Sequence, residues 1–443
     1  MKKICMLLVL LLAGSMFVFG AGEQESTTEE EGTAAKTAEY NIEAPEKSTT
    51  VDLIGWAMPI TEFYAEEFIK MNTIANLEVN AQLLDSASAL EQVRLALSGG
   101  KKSPYEVVHA ANTQISEWGY SDWLLPLNDL VEKYRDEYDL DDIPETAWEG
   151  GTVDGNILGV PVVSNSFLLI YRKDLFEKYD LDIPKNYDEV IAAAQKLKQE
   201  PSLDVPFVIN LHAGWAWEIE FFNMLKGFGG KYLNDDNTAA FNSPAGVAAL
   251  KKMIEISENA MGKIGMSYSL DDTEVGLQTG RLAFSNTWAS RAVTMQDPDK
   301  SEYRDQLEFA PSPAPKKGGP LGASAWNDFY CIPANTEVDP ELIFKIIMEA
   351  TDLESQKQAV EHGIPTRGKA LQSDKAGAYM GPAMVGLKNG VGSYPTSPAL
   401  PLVRTALGDS LPLASSGDLS PEEALERAEK EYTAEAKANG FIE

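Results

Sequence analysis

Planar amides and tryptophans recur just beyond predicted strands in this chain. Trp56 ends the first strand, and Asn112 and Gln114 follow a strand that ends at Ala110. Asn165 lies between two adjacent strands. His212, Trp215 and Trp217 follow the strand ending at Asn210, with Glu218 beside them. Asn286 and Trp288 follow the strand ending at Ser285, and Ser324, Trp326 and Asn327 sit on a Gly/Ala-rich loop ahead of another strand. An indole offers a flat apolar face, and an amide offers a donor and an acceptor to neighbouring hydroxyls. Such a set suits binding of a neutral, hydroxyl-rich ligand. Each member also has a plain structural role open to it, since tryptophans pack cores and His212 can be satisfied by protein. Trp118, Trp123 and Trp148 lie in helical or turn contexts and are read as packing.

Bond-breaking chemistry finds less support. Three histidines and two cysteines, with no CxxC, HxxxH or HExxH, leave zinc, iron–sulfur and dithiol chemistry without ligands. Gly363 to Ala370 follows the phosphate-loop pattern up to Lys369, but Ala370 lacks the magnesium-binding hydroxyl. Gly322-Ala323-Ser324-Ala325-Trp326 misses the second glycine of a nucleophile elbow. Asp139, Asp141 and Asp142 form an acidic turn whose sixth position is Pro144 rather than the glycine of a calcium loop. No catalytic residue, metal or cofactor is therefore expected.

The elements that must hold the binding residues alternate between strand and helix. The strand Val51–Trp56 is followed by a helix over Glu62–Met71, a strand over Leu77–Leu83, a helix ending at Gly99-Gly100 and a strand over Tyr105–Ala110. The alternation resumes from Ile157 with different content, and Pro311 to Pro320 is a connector before a strand over Phe329–Ile332. Ser420-Pro421-Glu422-Glu423 caps a last helix reaching about Ala438. Strands alternating with helices indicate α/β architecture with a largely parallel sheet.

Composition bounds the remaining choices. The chain has 443 residues, 44% apolar, with 8 Trp, 16 Tyr and 16 Phe, enough for a sizeable core. Its formal charge of −31 makes it a poor partner for nucleic acid or anionic membrane and favours a soluble monomer. Lys2 and Lys3 precede an apolar run from Ile4 to Phe19, and small residues follow, so residues 1–20 read as a secretory signal. An uncleaved anchor is the other reading of that run. Leu12-Ala13-Gly14-Ser15 places Ser where a lipoprotein signal has its Cys, so a lipoprotein is not evident. Residues 21–50, with eight Glu, read as a flexible acidic linker.

Several segments resemble the bacterial extracellular solute-binding proteins of ABC transporters, in the sugar-binding group that includes maltose-binding protein. Ala96-Leu97-Ser98-Gly99-Gly100 followed by Ser103-Pro104-Tyr105-Glu106-Val107-Val108 is similar to a family element, with Tyr-Glu where Asp is usual. Trp123-Leu124-Leu125-Pro126-Leu127 matches the turn after it. Asn156 to Pro161 and Leu169 to Phe176 resemble the first crossing between lobes. Ile183 to Val190 and Gly280-Arg281-Leu282-Ala283-Phe284 with Trp288 match later elements.

The resemblance implies a two-lobed, type II periplasmic binding protein fold with the ligand in the cleft between lobes. Residues 51–163 with 318–363 would form one lobe, and 164–317 with 364–443 the other. It adds Arg367, near a crossing, and Tyr394, on a loop that lines the cleft in relatives, to the binding candidates. It also implies delivery of the ligand to the membrane permease subunits of an ABC importer, outside the cytoplasm. Two other readings stay open: the same fold binding a polyamine or other cationic solute, and an exported glycan-degrading enzyme.

Overall fold

Apolar runs flanked by turn residues become strands in the computed structural model, which describes residues 40–443. The proposed signal segment and the linker up to residue 39 lie outside the described residues. The strands are β1 (Thr49–Trp56), β2 (Leu77–Leu84), β3 (Val107–Ala111), β4 (Thr152–Val153), β5 (Asn156–Ile157), β6 (Val160–Asn165) and β7 (Phe167–Arg172). They continue with β8 (Val205–Val208), β9 (Leu282–Trp288), β10 (Leu307–Pro311), β11 (Leu321–Cys331) and β12 (Gly390–Ser393).

Two sheets carry the fold. The first has the order β12-β11-β3-β1-β2, with β6 paired to β11, and β1 runs parallel to both β2 and β3. The second has the order β10-β7-β9-β8, with β8 parallel to β9. Strands buried on both faces read as continuous apolar runs, and Phe167-Leu168-Leu169-Ile170 of β7 is such a run, fully buried. Each sheet has its own core. Val51, Tyr64, Phe68, Tyr330 and Phe344 belong to the first, and Phe207, Phe222, Phe284 and Leu407 to the second.

Strand connectivity brings the two sheets end to end. Only Ser166 separates β6 from β7, so the chain leaves the first sheet at Asn165 and enters the second at Phe167. Trp288, the last residue of β9, pairs with Phe167. β11 crosses in the opposite sense: Trp326 pairs with Asn165, and Asp328 pairs with Ala111 at the end of β3. The carboxyl ends of β3, β6 and β9 therefore converge on residues 164–166 and 324–328, with the end of β1 alongside β3. In open α/β sheets that is where ligands bind.

Several expectations change. β11 begins at Leu321, so Ser324, Trp326 and Asn327 are strand residues rather than loop residues. Small side chains let other backbone approach there: a Cβ on Gly390 would sit 2.0 Å from the Ala323 carbonyl oxygen. β9 likewise runs on to include Asn286 and Trp288. The linker ends earlier than residue 50. Tyr40 and Ile42 pack against the first core, Asn76 donates to the Pro45 carbonyl at 2.9 Å, and β1 already contains Thr49 and Thr50. Two apolar side chains suffice to order that stretch once a core is present to receive them. Among the described residues no helix is long and apolar enough to cross a membrane.

Candidate functional site

Alternation along β11 puts Ser324, Trp326, Asp328 and Tyr330 on one face. Trp326 donates its Nε1–H to Ser324 Oγ at 2.8 Å, which fixes the indole over its own strand. Ser324 is itself held, its N–H donating to Asn223 Oδ1 and its carbonyl accepting from Ser166 Oγ. Around Trp326 stand Trp288, edge-on with ring centroids 5.4 Å apart, and Tyr394, stacked at 4.2 Å. Phe167 packs on Trp288 at 4.2 Å. Trp288 is half-buried, whereas Trp326 and Tyr394 are almost wholly covered.

Across the seam, Trp56 lies flat on His109 with centroids 3.5 Å apart. His109 is buried, and its Nε2 stands 3.7 Å from Asp328 Oδ2. Neither ring nitrogen has a hydrogen-bond partner among the described residues. The Asp328 side chain is 16% exposed and meets no lysine or arginine there. Asn165 is half-buried: its Nδ2 donates to Ser290 Oγ at 3.1 Å and its Oδ1 accepts from the Ser166 and Ser290 N–H groups.

Beneath Tyr394 lies a buried charge. Glu218, in the helix Gly214–Gly227, accepts from Tyr394 Oη and Tyr232 Oη, each at 2.6 Å. Arg404 of the helix Leu400–Ser415 brings Nε to 3.2 Å from its other oxygen. Burial pushes the Glu218 carboxyl above its ordinary range, against the pull of Arg404 and the two hydroxyls. The two helices run antiparallel and meet closely where Gly214 faces Gly408. The residue leading into the second helix ties it to the first lobe: Ser397 N–H donates to Ser116 Oγ of the helix Asn112–Gly119 at 3.1 Å.

The other candidates divide. Asn112 and Asn327 are buried and bond within the crossing through their oxygens, Asn112 Oδ1 accepting the Asn327 N–H at 2.7 Å and Asn327 Oδ1 accepting from Ser164, while Asn112 Nδ2 has no partner among the described residues. Gln114 caps the helix it belongs to, accepting the Ala111 N–H. Asn286 faces inward and donates to Tyr187 Oη, with no exposure to solvent. Arg367 is buried too. Its Nη1 donates to the Tyr138 and Asp139 carbonyls, so it braces the acidic turn rather than facing the seam. His212 and Trp217 line a separate cavity of about 760 Å³ with Glu258, Lys263, Ser415 and Ser416, while Trp215 on the same turn is 46% exposed. Only residues of the second lobe line that cavity.

Sequence reasoning missed Asp328 and Arg404. A lone arginine within an apolar helix reads as a solvated side chain, and Asp328 carries no motif. Only the pairing of β11 with β3 and β6 places it at the seam. No group of three His, Cys, Asp or Glu side chains among the described residues is arranged to hold a metal ion. Aromatic faces and fixed amides at a strand-end seam can bind and orient a small polar molecule.

Comparison with known proteins accords with this geometry. The family described as bacterial extracellular solute-binding protein matches residues 58–356. An ABC transporter extracellular-binding protein of Pyrococcus horikoshii is 25% identical over 232 residues, so the match spans about half of this chain and half of that relative (51% of each). The mannitol-binding protein of Pseudomonas aeruginosa is 21% identical over 381 residues, covering 78% of this chain and 83% of that protein. Among solved structures, an ABC transporter solute-binding protein of Agrobacterium radiobacter in complex with ribitol aligns with a TM-score of 0.76 at 21% identity, covering 88% of this chain and 99% of that one. Maltose-bound MalE3 of T. maritima aligns with a TM-score of 0.75 at 21% identity, over 87% and 99% of the two chains. These likenesses establish the fold as two α/β lobes of the type II periplasmic binding protein class, joined by crossing strands. With the family match extending over most of its length, the chain belongs to the bacterial extracellular solute-binding proteins.

Proposed function

We propose that this protein is the extracytoplasmic binding component of an ABC importer and that its ligand is a sugar or polyol. One observation carries the reading: Trp288 of β9 and Trp326 of β11 meet edge-on where the strands of both lobes end, and Trp56 of β1 stacks on His109 beside Asp328 of β11, each ring held by a stack or a hydrogen bond. Ring faces of this kind cover the C–H faces of a polyhydroxy compound while amides and carboxylates take its hydroxyls. The names of relatives that bind mannitol, ribitol and maltose support the class.

In this reading residues 51–163 with 318–363 and residues 164–317 with 364–443 are the lobes, export depends on the N-terminal signal, and the protein binds without catalysis. Ligand favours a closed arrangement by bonding to both lobes, and the closed form docks on the permease. Thermal-shift measurements with hexitols, pentitols, maltose and spermidine test it. A polyhydroxy compound should raise the melting temperature in proportion to the logarithm of its concentration. Stabilisation by spermidine and by no sugar or polyol would overturn it.

A further inference from the structure

The guanidinium beside Glu218 stands in an unusual setting. Arg404 stands closest to Glu218 through Nε, 3.2 Å from Oε2, and among the described residues its Nη1 and Nη2 have no hydrogen-bond acceptor. The side chain keeps 26% of its surface exposed, while its partner carboxylate is entirely buried. Tyr394 and Tyr232 both donate to the other Glu218 oxygen, and the oxygen facing Arg404 is buried with no hydrogen-bond partner among the described residues, so the carboxylate turns nothing toward solvent. The ring of Tyr394 then leads directly to Trp326. Arg404 belongs to the helix whose lead-in residue bonds to the first lobe. A planar fork of unused donors is thereby fixed beside the aromatic cluster, and its charge is cancelled from behind.

We propose that Arg404 is a specificity-determining residue, whose Nη groups bond two adjacent hydroxyls of a neutral polyol or sugar, and that Glu218 positions it and neutralises it. The assignment rests on the sugar-or-polyol reading above and narrows it to uncharged ligands.

Charge decides among the ligand classes. A polyamine at this point meets the outward face of a cation, since the compensating carboxylate lies behind it. An acidic sugar meets a guanidinium already paired, and it approaches a protein whose formal charge is −31. A neutral vicinal diol meets two parallel donors spaced as a guanidinium presents them and carries no charge to be repelled. Lysine could supply charge there but not the fork.

Titration calorimetry of the full chain and of R404A, R404K and E218Q tests the assignment with D-mannitol, maltose, D-glucuronate and spermidine. The native protein should bind mannitol or maltose and neither charged compound. R404A should lose about ten- to a hundredfold in affinity for the neutral ligand, and R404K should restore only part of it. E218Q, which uncovers the cation, should raise the affinity for glucuronate relative to the neutral ligand. Equal binding of the neutral ligand by the native protein and R404A overturns the inference while leaving the sugar-or-polyol reading intact. If R404A fails to fold by circular dichroism, unchanged affinity in R404K overturns it equally. An unchanged glucuronate-to-neutral ratio in E218Q overturns the role of Glu218. A native protein that binds spermidine or none of the four compounds overturns both the inference and the reading beneath it.

Discussion

The indole of Trp326 lies on the phenol of Tyr394, centroids 4.2 Å apart and planes inclined by 25°, and that phenol hydroxyl ends on buried Glu218. A residue of the crossing strand is thus fastened to the interior of the second lobe through one aromatic stack and one charged hydrogen bond. Tyr394→Phe keeps the stack and removes a donor from the carboxylate. It should cost about 1–3 kcal/mol in urea unfolding, while Trp326 keeps its backing from the phenyl ring. A variant as stable as the native protein would show that Glu218 does not depend on this hydroxyl.

Glu220 gives stability a pH dependence. It is buried, only the Asn210 N–H supports its carboxylate, and burial pushes its pKa up to about 8 from 4.5. Tyr187 is the titratable group facing it. The native form holds a proton that the unfolded chain releases between those values. Stability contributed at this site is therefore fully present below about 4.5, falls as pH rises toward about 8, and is level beyond. Urea midpoints from pH 5 to 9 should decline, and Glu220→Gln should flatten the decline.

Gly55 leaves room for the His109 ring on which Trp56 rests. A Cβ at position 55 would stand 2.9 Å from His109 Cβ. Gly55→Ala should displace the imidazole and tilt Trp56, lowering ligand affinity severalfold while costing about 1–3 kcal/mol of stability. Tryptophan fluorescence of the variant, with and without ligand, checks the displacement; a native spectrum and native affinity would refute it.

Arg367 separates bracing from binding. Its N–H donates to Gln356 Oε1, and its guanidinium holds two carbonyls of the acidic turn. Arg367→Ala leaves those carbonyls without donors and should cost about 3 kcal/mol. Ligand affinity measured well below the melting temperature should stay native. A specific loss of affinity with unchanged melting would restore Arg367 to the site.

Cys331 is buried against Val108 and Gly159, and burial alone pushes its thiol far above the ordinary range. A chain lacking the first twenty residues, and so Cys5, should react with an aromatic disulfide reagent only as fast as it unfolds. The reaction rate should rise with urea in step with the unfolding curve.

Local chemistry was legible along the chain. Ser420 and Glu423 cap the last helix reciprocally, at 2.8 and 3.2 Å, because a serine, a proline and an acidic first turn satisfy orphan N–H groups wherever the helix lies. Apolar runs announced β1, β3 and β7 because a strand buried on both faces must be apolar throughout. The tryptophans of β1, β9 and β11 were picked out because few side chains combine a flat apolar face with a donor. Asn286, an amide beyond a strand, and Arg367, which the resemblance adds, both turn inward: residue type reports what a side chain can do and not which way its element faces. The extent of β11 was hidden because its small residues are chosen by backbone that arrives from Gly390, far along the chain. Sequence by itself determined the α/β class, the resemblance to solute-binding proteins and the aromatic–amide chemistry, all of which depend on neighbours within a few positions. Tertiary structure alone decided that Asp328 stands beside His109, that Arg404 is paired with Glu218, and which amide oxygens bond within the crossing. Those relations join residues 186 to 219 positions apart, and burial and partnership at that range exist only once the strands have paired.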